Sequence, residues 1–130
     1  MTSDPVSAGS GPPVRWIVER LSRLGALAFL IALPLLSLLP SGTIERTSAG
    51  KEAEHFIAYT GTALLLILGT GPRPARLLAT VLLICFAATL EIAQSFTATR
   101  SAEWAQFIAS ATGSIAGLVV GSLAGRLLVK

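Results

Sequence analysis

The sequence predicts an all-α membrane protein: four transmembrane helices in an up-down antiparallel bundle, with both termini on the cytoplasmic side. Three observations carry that expectation. The 130-residue chain is 52% apolar with a mean hydropathy of +0.72, a value that water-soluble domains of this size rarely reach. Only 13% of its residues are charged, and they fall in short clusters at the ends of long apolar runs. Four such runs recur, and the first, with Leu21 and its neighbours, is long enough to cross ~30 Å of hydrocarbon as a helix.

The elements follow in order. Met1 to Val14, MTSDPVSAGSGPPV, is rich in Gly, Pro and Ser. It has too little apolar surface to offset its ordering entropy and reads as a disordered tail, leaving residues 15–130 as one transmembrane domain. RWIVERLSR, Arg15 to Arg23, is a basic lead-in whose Trp16 suits the membrane interface. The first span is Leu24 to Leu39, with Pro34 expected to kink it. A cleaved signal peptide is the rival reading, but the apolar stretch exceeds the usual signal core. After the polar loop Pro40 to Glu54, the second span runs from His55 to Gly69. TGPRPAR is a tight basic turn; the third span is Leu77 to Phe96 and the fourth Trp104 to Val129. Cys85, within LLICFAA, is the single cysteine, so it forms no internal disulfide and reads as a small buried apolar side chain.

Lysine and arginine counts set the orientation. Arg15, Arg20, Arg23, Arg73, Arg76, Arg126 and Lys130 fall on one side, and Arg46, Lys51 and Arg100 on the other. Seven against three places the termini in the cytoplasm. The net charge of +3 is dispersed among loops, which argues against a nucleic-acid partner.

In the fourth span Ala105, Ala109, Gly113, Gly117, Gly121 and Gly125 recur at i+4, a repeated GxxxG pattern. Small side chains let another backbone approach closely. The neighbour is either a helix of the same chain or a second copy, which would make a homo-oligomer.

The polar residues converge on the outer side. His55 opens the second span, Glu91 and Gln94 close the third, and Arg100, Glu103 and Gln106 lead into the fourth. His55, Tyr59 and Thr62 share one helical face; Glu91 and Gln94 share another, with Ser95; Glu103, Gln106 and Ser110 share a third, continued by Gly113 and Gly117. Glu91 lies ~6–8 Å below the outer helix end. A lone carboxylate at mid-membrane costs on the order of 2.5–3.5 kcal/mol, less near the interface, so Glu91 is expected to have a partner. Arg100 is the first candidate, through a bidentate fork, and His55 the second. Two readings stay open: a structural network that pins three helices together, and an outward-facing polar pocket.

As chemistry, His55 and Glu91 would be the acid–base candidates if the protein were an enzyme. No nucleophile accompanies them, since Ser95 lacks a nucleophile-elbow context. No HExxH and no GxxxxGK[ST] occurs, so no metal and no cofactor is expected.

The stretches EHFIAY, EIAQSF and TRSAEWAQFIASATGSIAG, in that order, resemble the VanZ-like family of small bacterial integral membrane proteins. The likeness runs from about Lys51 to Gly121. It maps His55, Tyr59, Glu91, Gln94 and Arg100 onto the family's polar positions, and Gly113 and Gly117 onto its glycines. There are departures. Lys51-Glu52-Ala53-Glu54 stands where the family has Asp-Lys, Gln106 where it has an acid, and Ser110 at its Asn-like position. The proline before the arginine is absent from Phe96-Thr97-Ala98-Thr99. The resemblance implies a multi-pass protein of the bacterial plasma membrane. The family is named for a protein that lowers susceptibility to a glycopeptide antibiotic; the likeness does not carry resistance to this chain.

Three functions follow from these readings. The first is a non-enzymatic envelope protein whose outer pocket binds or modulates an envelope lipid, a glycopeptide-like ligand or a partner. The second is an envelope enzyme working on a lipid-linked substrate through His55 and Glu91. The third is an assembly subunit acting through its glycine-striped helix.

Overall fold

The computed structural model describes residues 13–40, 42–43, 47–98 and 101–128. Among them all regular structure is helical: α1 (Val14–Leu38), α2 (Lys51–Leu68), α3 (Arg73–Ser95) and α4 (Trp104–Leu127). The expected tail lies outside the described residues up to position 12, and Val14, assigned to it, already belongs to α1. The helix begins before the apolar run because RWIVERLSR contains no helix breaker. Arg15 Nε donates to Glu19 Oε1 at 2.9 Å across one turn, and the Arg20 guanidinium lies over the Trp16 ring at 5.1 Å. Pro34 sits inside α1, which continues to Leu38.

α1, α3 and α4 are long and apolar enough to cross a membrane. α2 is the shortest helix, with 18 residues, and its first turn carries Lys51, Glu52 and Glu54. Its N-terminus turns on Gly50, whose φ of +87° belongs to the left-handed region that glycine tolerates without strain.

The distribution of side chains is inverted relative to a water-soluble bundle. On α4 the outward residues Ile108, Ile115, Val119 and Leu123 are all more than half exposed, while Gln106, Ser110 and Ser114 are buried. On α1 the exposed set is Leu24, Leu27, Ile31 and Leu35; on α3 it is Leu77, Leu78, Val81 and Leu82. Apolar surface on this scale is a large liability in water and none in hydrocarbon. Cys85 belongs to this outer surface: it is exposed on α3, and the sequence expectation of a buried cysteine is corrected. Its position among Leu82, Leu83 and Ile84 signalled apolar surroundings, but in lipid those surroundings are outside the bundle.

α4 packs chiefly on α2, and the seam is made by glycine. A Cβ built at Gly113 would stand 2.5 Å from the Phe56 carbonyl oxygen. One at Gly117 would stand 2.5 Å from both Ala63 Cβ and the Thr60 carbonyl oxygen, and one at Gly121 2.9 Å from Ile67 Cβ. Contacts rise together along both helices, so α2 and α4 run parallel. The i+4 stripe does not hold one face along the whole helix. Each i+4 step turns about 40° past a full turn at 3.6 residues per turn, so a straight partner meets only part of it. Ala105 is exposed, Gly113, Gly117 and Gly121 are buried, and Gly125 has left the seam and faces the Arg76 guanidinium.

The core at the centre of the bundle holds Tyr59, Ala63, Leu83 and Ala87, with Leu30, Leu33, Leu66, Phe86 and Phe107 against them. Two buried hydroxyls bond within their own helices: Thr62 donates to the Ala58 carbonyl at 2.8 Å, and Ser114 to the Ser110 carbonyl at 2.8 Å. The two ends of the bundle are tied differently. At one, Arg23 Nε donates to the Gly69 carbonyl at 2.8 Å, and Arg76 Nε to the Thr70 carbonyl at 3.0 Å. At the other, four helix ends meet around the polar cluster.

Candidate functional site

The cluster is assembled from the C-terminal ends of α1 and α3 and the N-terminal ends of α2 and α4. Ser110, two turns into α4, is its hub and is 1% exposed. Its hydroxyl donates to the Gln106 carbonyl at 3.0 Å. That spends its one proton, so Ser110 Oγ accepts from His55 Nδ1, 3.1 Å away. The imidazole stacks on Tyr59, with ring centroids 6.3 Å apart and planes 11° from parallel. The Tyr59 side chain is buried, hydrogen-bonded with Ser110 and within electrostatic reach of Glu91.

Glu91 is 7% exposed, one turn from the end of α3. Its Oε2 accepts the backbone N–H of Glu103 at 3.1 Å. Glu103 is the residue before α4, so its N–H has no partner within that helix, and the carboxylate serves as a cap supplied by a different helix. The expected partner Arg100 lies outside the described residues. The Glu103 side chain reaches Lys51 Nζ at 3.0 Å, joining α2 to the start of α4. Both side chains are more than a third exposed, so this pair positions the loop more than it stabilises the fold.

Gln94 behaves differently from its neighbours in sequence. It is 1% exposed and turned toward α1, where its amide donates to the Ser37 carbonyl at 3.2 Å and to the Ser37 hydroxyl. The structure therefore brings His55, Tyr59, Glu91, Glu103, Gln106 and Ser110 to one end of the bundle, with Gln94 there as the tie to α1. Ser95 is exposed and bonded to its own helix at Ile92. Ser37 is the residue that sequence reasoning missed; a serine between leucines near a span's end was the available signal.

Beside Glu91 a cavity of about 340 Å³ opens between α3 and α4. Ala88, Ile92, Trp104 and Phe107 form its apolar wall, and Glu91 and Glu103 border it. Ile92 is 61% and Trp104 81% exposed, so the opening faces the outer surface of the helices. The size is within the range of small-molecule sites, and its almost wholly apolar surface suits a hydrophobic chain. Among the described residues no group of three or more His, Cys, Asp or Glu is arranged to hold a metal ion. Comparison with protein-family models, curated proteins and solved structures finds no match to this chain.

Proposed function

We propose that the chain is a four-span, VanZ-like protein of the bacterial plasma membrane. In this reading both termini are cytoplasmic, and the polar cluster lies just beneath the extracytoplasmic surface. It acts by binding the polar head of an envelope amphiphile, a lipid or a glycopeptide-like ligand, rather than by catalysis. The observation that carries the reading is the Glu91 cleft: a nearly buried carboxylate bordering an apolar cavity that opens sideways. The orientation is supported by the arginines at the opposite end of the bundle. The family rests on the motifs EHFIAY, EIAQSF and the serine- and glycine-rich fourth helix. α2 enters as the second span because its charges are confined to the first turn, at the interface.

Acid–base catalysis would fall to His55 and Glu91, the imidazole and carboxylate at this end of the bundle. Against it, the adjacent hydroxyl of Ser110 is buried and already bonded to Gln106. The assembly reading has less support, because α2 fills the glycine seam.

A photo-reactive residue at position 92, in the cleft, tests the binding reading against the same residue at position 115, on the outer face of α4. The expected result is selective cross-linking of a polar envelope lipid at 92, abolished by Glu91→Gln. Equal lipid composition at both positions would remove the proposal. An altered lipid inventory in a Glu91→Gln strain would favour the enzyme.

A further inference from the structure

The opposite end of the bundle holds a second site. We propose that the arginine-lined cleft between the N-terminus of α1, the α2–α3 turn and the C-terminus of α4 binds the phosphate of an anionic phospholipid. This rests on the membrane reading but not on the Glu91 cleft.

The charge is the first observation. Arg15, Arg20 and Arg23 on α1, Arg73 and Arg76 on α3 and Arg126 on α4 gather there, with Glu19 the acid among the described residues. The second is a built cleft with a fixed cation. Arg76 is held by its Nε bond to the Thr70 carbonyl at 3.0 Å, which leaves both Nη groups to point onward. They lie beside Gly125, where a Cβ would stand in ordinary contact with them, at 3.6 Å and 3.8 Å. Arg15 and Glu19 border the same cleft from α1. A phosphate competes with Glu19 for Arg15; that pair is an exposed surface bridge, and such bridges are weak.

The remaining walls name the source of the phosphate. Val18, Leu68 and Leu128 line the cleft, and Val14, Leu127 and Leu128 continue the apolar surface outside it. The cleft is small and open at the surface, about 30 Å³, which suits the oxygens of a phosphate. A lipid would place its phosphate between Arg15 and Arg76 and its chains along the exposed leucines. Basic pockets between helices on the cytoplasmic side suit this chemistry.

The test uses the full chain purified in neutral detergent, with lipid binding followed by native mass spectrometry and thermal unfolding. Phosphatidylglycerol is expected to bind and stabilise, while phosphatidylcholine with the same chains and inorganic phosphate are not. Arg15→Gln and Arg76→Gln should each weaken phosphatidylglycerol binding about fivefold, and Arg73→Gln, exposed and outside the cleft, less than about twofold. Should Arg76→Gln unfold, Arg15→Gln decides alone, since among the described residues its side chain bonds only its own helix neighbour Glu19. An equal loss in Arg15→Gln and Arg73→Gln would reduce the effect to diffuse attraction and overturn the site. Equal binding of phosphatidylcholine, or displacement of the lipid by inorganic phosphate, would overturn it as well. Recovery of the protein without detergent would instead contradict the membrane reading, so the two failures are distinct.

Discussion

Gly117→Ala adds one methyl group at the centre of the α2–α4 seam. Its Cβ would stand 2.5 Å from Ala63 Cβ, 2.5 Å from the Thr60 carbonyl oxygen and 2.9 Å from the Leu64 nitrogen. Ordinary contact begins near ~3.5 Å, so α4 must withdraw by roughly 1 Å. Two of the three obstructing atoms are backbone and have no rotamer to change, so local adjustment is closed. Overpacking of this kind costs about 1–3 kcal/mol, and the upper part of that range is expected here. The withdrawal would also lengthen the His55–Ser110 bond, which crosses the same seam at 3.1 Å. Gly61→Ala on α2 is the matched control: its Cβ would meet nothing within 4 Å. The same change there should stabilise by about 0.5–1 kcal/mol, because alanine loses less backbone entropy on entering a helix. Reversible unfolding in mixed micelles, followed by helical circular dichroism, measures both. Equal stability of Gly117→Ala and Gly61→Ala would refute the close seam.

Further outcomes follow from other contacts. Gln94→Leu and Ser37→Ala should each destabilise by about 1–2 kcal/mol, and the double variant by much less than the sum, since both break the same tie; unfolding of the three variants checks this. In a double-mutant cycle, His55→Ala and Ser110→Ala should couple by about 0.5–1.5 kcal/mol, and additive losses would contradict the hub. Cys85 is exposed on α3, yet in native membranes it should resist a charged maleimide and react once the membrane is dissolved in SDS, because thiolate does not form in hydrocarbon; labelling is read by mass shift.

The helices were legible because hydrocarbon and helix both demand long apolar runs. Trp104 opens α4 where the run begins, and α3 ends at Ser95, one residue before the run does. The start of α1 was not legible from hydropathy, since Arg15, Glu19 and Arg20 end a span without ending a helix. The glycine pattern of α4 declared that some backbone comes close but carried no information on which one. Its parallel partner is two elements away, and only the shapes of both helices decide that pairing. At the cluster, residue type and helical period located His55, Tyr59, Glu91, Gln106 and Ser110 at one end. They did not separate Gln94, which helical phase turns from α4 toward Ser37. Nor did they foresee a carboxylate capping the backbone of Glu103, because backbone donors leave no mark in a sequence.

The most direct measurement is a crystal structure grown from a lipidic mesophase, with the His55–Glu91 end of the bundle in lipid. The expected result has Ser110 between His55 and Tyr59, the Glu91 carboxylate on the Glu103 amide, and a lipid headgroup in the cleft beside it. Glu91 directed at acyl chains, with His55 and Ser110 on separate faces, would contradict it.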